Sequence, residues 1–316
     1  MTPSMKALVL DTIVENLAKP ALRKARESFR DELSSVRPAS FPFVSPDTFR
    51  SLADCVVEAG SVLHRKSIHP RMVIYCDASS IHDPAQGYVE SMDIGSARNI
   101  ARRQKVKPIL IISHGDFSPP SEVLEKMSEF HHIFATNVTR EISSVTAIPL
   151  GLENAFRNLN GSLGPYLGSR ENLPAAQRSN LVFGSFAVRN NPRVRLPLAA
   201  LMKESRFEFT QVRLSPEGFR ERVRDSYFVI SPPGRGFDCH RTWEAIYQGA
   251  VPVVLENTLA PSLANSLPIL SVETYEDFLG LSDEQLQDKY WEVSERPTQL
   301  AFMPHWVRTI EERASE

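Results

Sequence analysis

His240, Arg241 and Glu244 follow closely on a turn-forming stretch, Ser231-Pro232-Pro233-Gly234-Arg235-Gly236. Glu244 lies at i+4 from His240 and i+3 from Arg241, so a helix carries all three on one face. Two cationic side chains at the positive end of a helix dipole are mildly unfavourable unless an anion lies among them. A phosphate meets that need, and a carboxylate one turn deeper can accept hydrogen bonds from ribose hydroxyls. The competing reading is an ordinary ion pair of Arg241 with Glu244 or Asp238 beneath a tight turn.

The surrounding pattern is what would position such a site. Tyr227–Ile230 is a short apolar run of strand type, and the Pro-Pro-Gly-Arg-Gly stretch cannot continue it. Asp238 stands where a helix cap is expected, and Trp243, Ile246 and Tyr247 supply an i, i+3, i+4 stripe. Gly249 is placed to end the helix, and Val251–Leu255 reads as the next buried strand. Strand, glycine turn, helix, strand puts an open helix N-terminus at the carboxyl edge of a parallel sheet.

The whole run Ser231–Val254 resembles the donor-site signature of exostosin-like glycosyltransferases, enzymes of GT-B type with two Rossmann-like domains facing a cleft. A shorter stretch, Ile148-Pro149-Leu150-Gly151-Leu152-Glu153-Asn154, resembles the segment closing the first domain of that family. The resemblance implies transfer of a sugar from a nucleotide-sugar donor, a UDP-sugar, to a glycan or glycolipid acceptor in surface polysaccharide or glycolipid synthesis. It further implies inversion and independence of metal. Donor-binding residues are then Ser231, Gly234, His240, Arg241 and Glu244. Arg189 and Arg193 join them because, with Arg195, they follow a strand end and carry forked donors suited to a diphosphate. The alternative for these arginines is a plain exposed helix start.

Inverting transfer needs a base for the acceptor hydroxyl. Asp116 is the first candidate and His114 the second, both just past the strand Pro108–Ile112, while Asp77 is placed to bind acceptor hydroxyls. Asp116 as a cap for the Ser-Pro-Pro turn is the alternative. No metal cofactor is expected: the chain has no Asp-x-Asp, and Cys239-His240 lacks the second ligand cluster of a zinc site. Cys239 reads as a small buried residue, which leaves the helix N-terminus, His240 and Arg241 to stabilise the leaving diphosphate.

Bulk properties set the frame. The 316 residues suggest two domains, 42% hydrophobic content supports buried cores, and a net charge of −2 with no basic-aromatic array argues against nucleic acid. Three cysteines without C-x-x-C spacing fit a reducing compartment. The sequence shows neither a signal peptide nor an apolar span, so the expectation is a cytoplasmic enzyme with at most peripheral membrane contact. Residues 1–37 read as helical, their basic residues interleaved with acidic ones. An acceptor-side α/β domain is expected at 38–154, a linker at 155–179 and a nucleotide-sugar domain at 180–298. The helix at 299–316 is expected to cross back to the first domain. Within the first domain Phe49, Leu52, Ala53, Val56 and Val57 form a helical stripe, and helices are expected at Val89–Arg103 and Ser121–Phe130. Two other functions fit the same residues: a sugar-nucleotide epimerase or hydrolase, and a non-catalytic nucleotide-sugar or glycan binding protein.

Overall fold

Runs of aliphatic and β-branched residues, each followed by a helix start signal, build two mainly parallel sheets. The computed structural model describes residues 40–67, 69–78, 90–154, 163, 166 and 177–316. The helices expected within 1–37, most of the loop at 77–83 and most of the linker lie outside the described residues.

The first sheet contains β1 (Cys55–Glu58), β2 (Ser61–His64), β3 (Val73–Asp77), β4 (Ile109–Ser113), β5 (His132–Ala135) and β6 (Val145–Ala147), in the order β2-β1-β3-β4-β5-β6. All pairings are parallel except the β1–β2 hairpin. β3 and β4 are buried along their whole length, as strands covered on both faces must be. Helices α1 (Pro46–Ser51), α2 (Met92–Arg102) and α3 (Ser121–Leu124) belong to this half.

Two expectations fail here. The stripe from Phe49 to Val57 is not one helix: α1 stops at Ser51, and Val56 and Val57 lie in β1. β-Branched residues at a hairpin whose turn is made by Ala59 and Gly60, both at positive φ, favour the sheet. The helix expected over Ser121–Phe130 is a single turn. Leu124, Met127 and Phe130 are buried at three-residue spacing, and i→i+3 bonds such as Met127 N–H to Leu124 O follow that period instead of 3.6.

The second sheet contains β7 (Asn180–Ser185), β8 (Glu208–Thr210), β9 (Ser226–Ile230), β10 (Val251–Leu255) and β11 (Leu270–Val272), in the order β11-β10-β9-β7-β8, wholly parallel. Its helices are α4 (Pro192–Glu204), α5 (Pro216–Arg224), α6 (His240–Tyr247), α7 (Pro261–Ala264), α8 (Tyr275–Leu279) and α9 (Asp283–Ser294). From β7 the chain steps outward to β8, then returns past β7 to β9 and continues to the other side. The strand order therefore reverses between β7 and β9, and ligands of open α/β sheets bind at the carboxyl ends beside such a reversal.

The hydrophobic core does not divide where the sheets do. Trp243, Ile246 and Tyr247 of α6, with Leu259, Leu263 and Leu267 further on, belong to the core of the first sheet. The final helix α10 (Met303–Ser315) adds Met303, Trp306 and Ile310 to it. The Tyr247 hydroxyl donates to Ala301 O and accepts from Val44 N–H, and Phe302 bridges to Phe43. All of these residues fall within one compact unit spanning 39–316. The architecture is mixed α/β, compatible with a pair of Rossmann-like domains.

Candidate functional site

The loops after β7 and β9 flank the reversal in strand order, and one arginine ties them together. Arg195 is 3% exposed and donates from Nε to Pro233 O, from Nη2 to Pro232 O and from Nη1 to Ala187 O, at 2.8–3.1 Å. Asn191 Nδ2 donates to Gly234 O. Two carbonyls of a turn that cannot form regular structure, and one from the loop after β7, are thus met by one rigid fork. Sequence reasoning groups Arg195 with the diphosphate arginines; the structure makes it the clamp behind the turn. Arg189, in a 3-10 turn just before α4, and Arg193, in the first turn of α4, are exposed and make no ion pair among the described residues.

Ser231 is buried, and its hydroxyl bonds Thr242 Oγ1 at 2.8 Å and lies 3.2 Å from Cys239 Sγ. Cys239, half-buried, is the residue that caps α6 by position. Asp238, the cap expected from sequence, does something else: its carboxylate accepts from Leu150 N–H and Trp243 Nε1–H, both at 2.8 Å. Burial pushes its pKa up to about 6 against the pull of those hydrogen bonds. Its backbone N–H donates to Asn137 Oδ1, and Asn137 Nδ2 donates to Gly115 O. Nothing in the local sequence marks Asn137 except its tolerance of positive φ, here 58° just beyond β5.

The two segments carrying the family resemblance meet at this point. His240 Nδ1 lies 2.7 Å from Gly151 O, so that nitrogen carries the proton, and Nε2 lies 3.7 Å from Glu153. Gly151 has φ +72°, and a Cβ there would fall 2.1 Å from Val44 O. Gly236 is equally confined, since its Cβ would fall 2.6 Å from Asp116 O. The loops at the carboxyl ends of β4 and β5 therefore touch the loop at the carboxyl end of β9.

Arg241 and Glu244 do not bond each other. Among the described residues neither has an ion-pair partner, and Arg241 Nε is buried without an acceptor. The Arg241 guanidinium lies over the Phe219 ring, 5.5 Å from its centroid. Glu244 is half-buried, and burial raises its pKa although Arg241, His240 and Arg220 oppose the shift. Phe219 and Arg220 come from α5, a helix that sequence reasoning does not single out. Its Arg220 is buried, pairs with Glu217 and lies over the Tyr166 ring. Ordinary amphipathic spacing conceals it.

On the first sheet, Asp77 ends β3 and is paired in register with Ser113, the last residue of β4. His114 follows at φ 67°, a conformation a non-glycine residue seldom takes. Its Nδ1 lies 2.8 Å from Asp77 Oδ2, with both side chains largely buried. Asp77 thus orients an imidazole. Asp116 is exposed and makes no hydrogen bond that would cap the Ser-Pro-Pro turn, and its carbonyl rests against Gly236. Among the described residues no group of three His, Cys, Asp or Glu is arranged to hold a metal, and no helix is long and apolar enough to cross a membrane.

No protein-family model matches the chain, and no curated protein matches it in sequence.

Proposed function

We propose that the chain is a glycosyltransferase of the exostosin-like kind, with GT-B architecture, acting on a nucleotide-sugar and a glycan or glycolipid acceptor. The observation that carries the reading is the pair Arg241 and Glu244. A cation and a carboxylate share one face of α6 beside a reversal in strand order; among the described residues neither has an ion-pair partner, and Arg241 Nε is buried without an acceptor. A nucleoside diphosphate answers both, with phosphate oxygens toward Arg241 and the α6 N-terminus and ribose hydroxyls toward Glu244. Ser231, Gly234 and His240 complete the wall, with Arg189 and Arg193 at its rim, and no metal takes part.

The acceptor hydroxyl attacks the anomeric carbon as the bond to the diphosphate breaks, and the nucleotide leaves with the electron pair. His114 takes the proton. Its Nδ1–H donates to Asp77, which fixes the ring. Asp116, which has no such orienting partner among the described residues, is the carboxylate beside the reacting groups. The helix N-terminus and Arg241 neutralise the departing diphosphate, giving inversion in one displacement.

Calorimetry and thermal shift with UDP, GDP, TDP and CMP, with and without magnesium, test the donor site on wild type and Arg241→Ala. The reading expects one nucleotide to bind without metal and to lose at least about tenfold in affinity in the variant, the value of a charge-assisted hydrogen bond. Binding of no nucleotide, or equal binding by both proteins, would overturn it.

A further inference from the structure

Phe237 is 51% exposed, yet both its neighbours are buried. Gly236 is wedged against the Asp116 carbonyl, and Asp238 is held through its N–H by Asn137 and through its carboxylate by Leu150 and Trp243. The backbone on either side of the ring is therefore fixed to the first sheet's loops while the ring itself is left in water. Among the described residues it has no aromatic partner. The loop that presents it follows β9, the strand leading into the Arg241 helix, and its neighbour Gly236 touches the turn that bears His114 and Asp116.

Such an arrangement has an evident cost and one evident use. An exposed aromatic forfeits the free energy of burial, and the hydrogen bonds that fix its neighbours bury none of the ring itself. For a ligand, the same rigidity is preorganisation, because little freedom is lost when the ring is covered. The negative face of the ring suits the C–H-lined face of a pyranose, whose hydrogens carry partial positive charge. From these features we infer that Phe237 is the stacking platform of a carbohydrate subsite, and that the sugar laid on it is the acceptor, next to the His114–Asp116 turn. This assignment of the sugar as acceptor rests on the transferase reading; the platform itself does not.

The test compares wild type, Phe237→Ala and Phe237→Trp on a printed array of neutral and acidic oligosaccharides in the presence of UDP. UDP affinity is measured in parallel by calorimetry, and co-sedimentation is run with anionic phospholipid vesicles. The exposed position leaves the fold unaffected by either substitution, which circular dichroism checks. The expected result is glycan binding by wild type and the Trp variant, with a loss of roughly four- to tenfold in the Ala variant, the order of half-burying a phenyl ring. UDP affinity is expected to stay within about twofold. The platform is overturned if Phe237→Ala keeps the glycan signal, if wild type binds no glycan, or if the substitution abolishes vesicle binding and leaves glycans untouched. Phe237-dependent glycan binding without UDP binding would uphold the platform and defeat the transferase reading.

Discussion

Arg241 and Glu244 stand one helical turn apart without forming an ion pair, and Arg241 Nε is buried without an acceptor, which sets up an opposition between stability and binding. An unpaired buried Nε costs free energy, while the aliphatic stem of the arginine packs like a hydrocarbon. Arg241→Met keeps the stem and removes the orphaned donor, so the melting temperature should hold or rise while UDP affinity falls about tenfold or more. A variant that melts earlier and binds UDP as before would mean that Arg241 serves the fold. Asp238 gives a second prediction, in pH. Its folded pKa is about 6, above the ordinary value near ~4, so the folded state holds the proton more tightly than the unfolded chain does. That stability is fully present below ~4 and is lost as pH rises through about 6. Asp238→Asn removes the titration and leaves either Leu150 N–H or Trp243 Nε1–H facing an amide donor, a cost of about 1–3 kcal/mol. The variant is the less stable protein in acid, and the gap should narrow by about 2 kcal/mol from roughly pH 4 to roughly pH 7.5 in urea titrations. A gap that stays constant or widens would show that the carboxylate is not held as described.

Arg195 acts on a whole element, the turn between β9 and α6. Lysine carries one ammonium and cannot reach three carbonyls in a plane, so Arg195→Lys should lose about 2–4 kcal/mol and raise amide exchange over 232–236. If exchange in the turn is unchanged, the clamp is not what holds it. The same element shows how far the sequence can be read. Strand β9, the turn, α6 and β10 are all legible, because breakers and apolar runs are local signals, and Gly249 ends the helix at φ 72°. The cap is not legible, because Asp238 is claimed by Leu150, a residue far away in the chain. Likewise Arg195 sits among arginines of identical type, and only the fold distinguishes the one facing inward from the two facing water. In the candidate site, His240, Arg241 and Glu244 can be named from spacing alone. The Asp77–His114 hydrogen bond cannot, since it depends on two strands lying in register.

At the scale of the molecule, the core of the first sheet takes in side chains from the second half, which also keeps buried clusters of its own, and α10 is the element on which that sharing can be tested. Met303, Trp306, Ile310 and Ala314 are each no more than 2% exposed in the core of the first sheet. Phe49 packs edge-on against Trp306 at 6.2 Å, and the indole N–H donates to Leu300 O. Burying the three large side chains contributes roughly 1.5–3 kcal/mol each, together about 5–9 kcal/mol. A domain's whole stability is about 5–15 kcal/mol, so this helix holds a large part of it. The same core receives Trp243 and Ile246 from α6, whose other face carries Arg241 and Glu244. Ending the chain after Phe302 should therefore do more than loosen a terminus. We expect the shortened chain to lose near-ultraviolet circular dichroism and a sharp melting transition, and to lose UDP binding with them, although the second sheet keeps all its strands. If the two halves were independent, the truncated protein would instead show one surviving transition with nucleotide affinity intact. That outcome would separate the candidate site from the first core; its absence, with intact chain unfolding in one step by fluorescence and far-ultraviolet dichroism alike, would mean that the site is braced by both sheets at once.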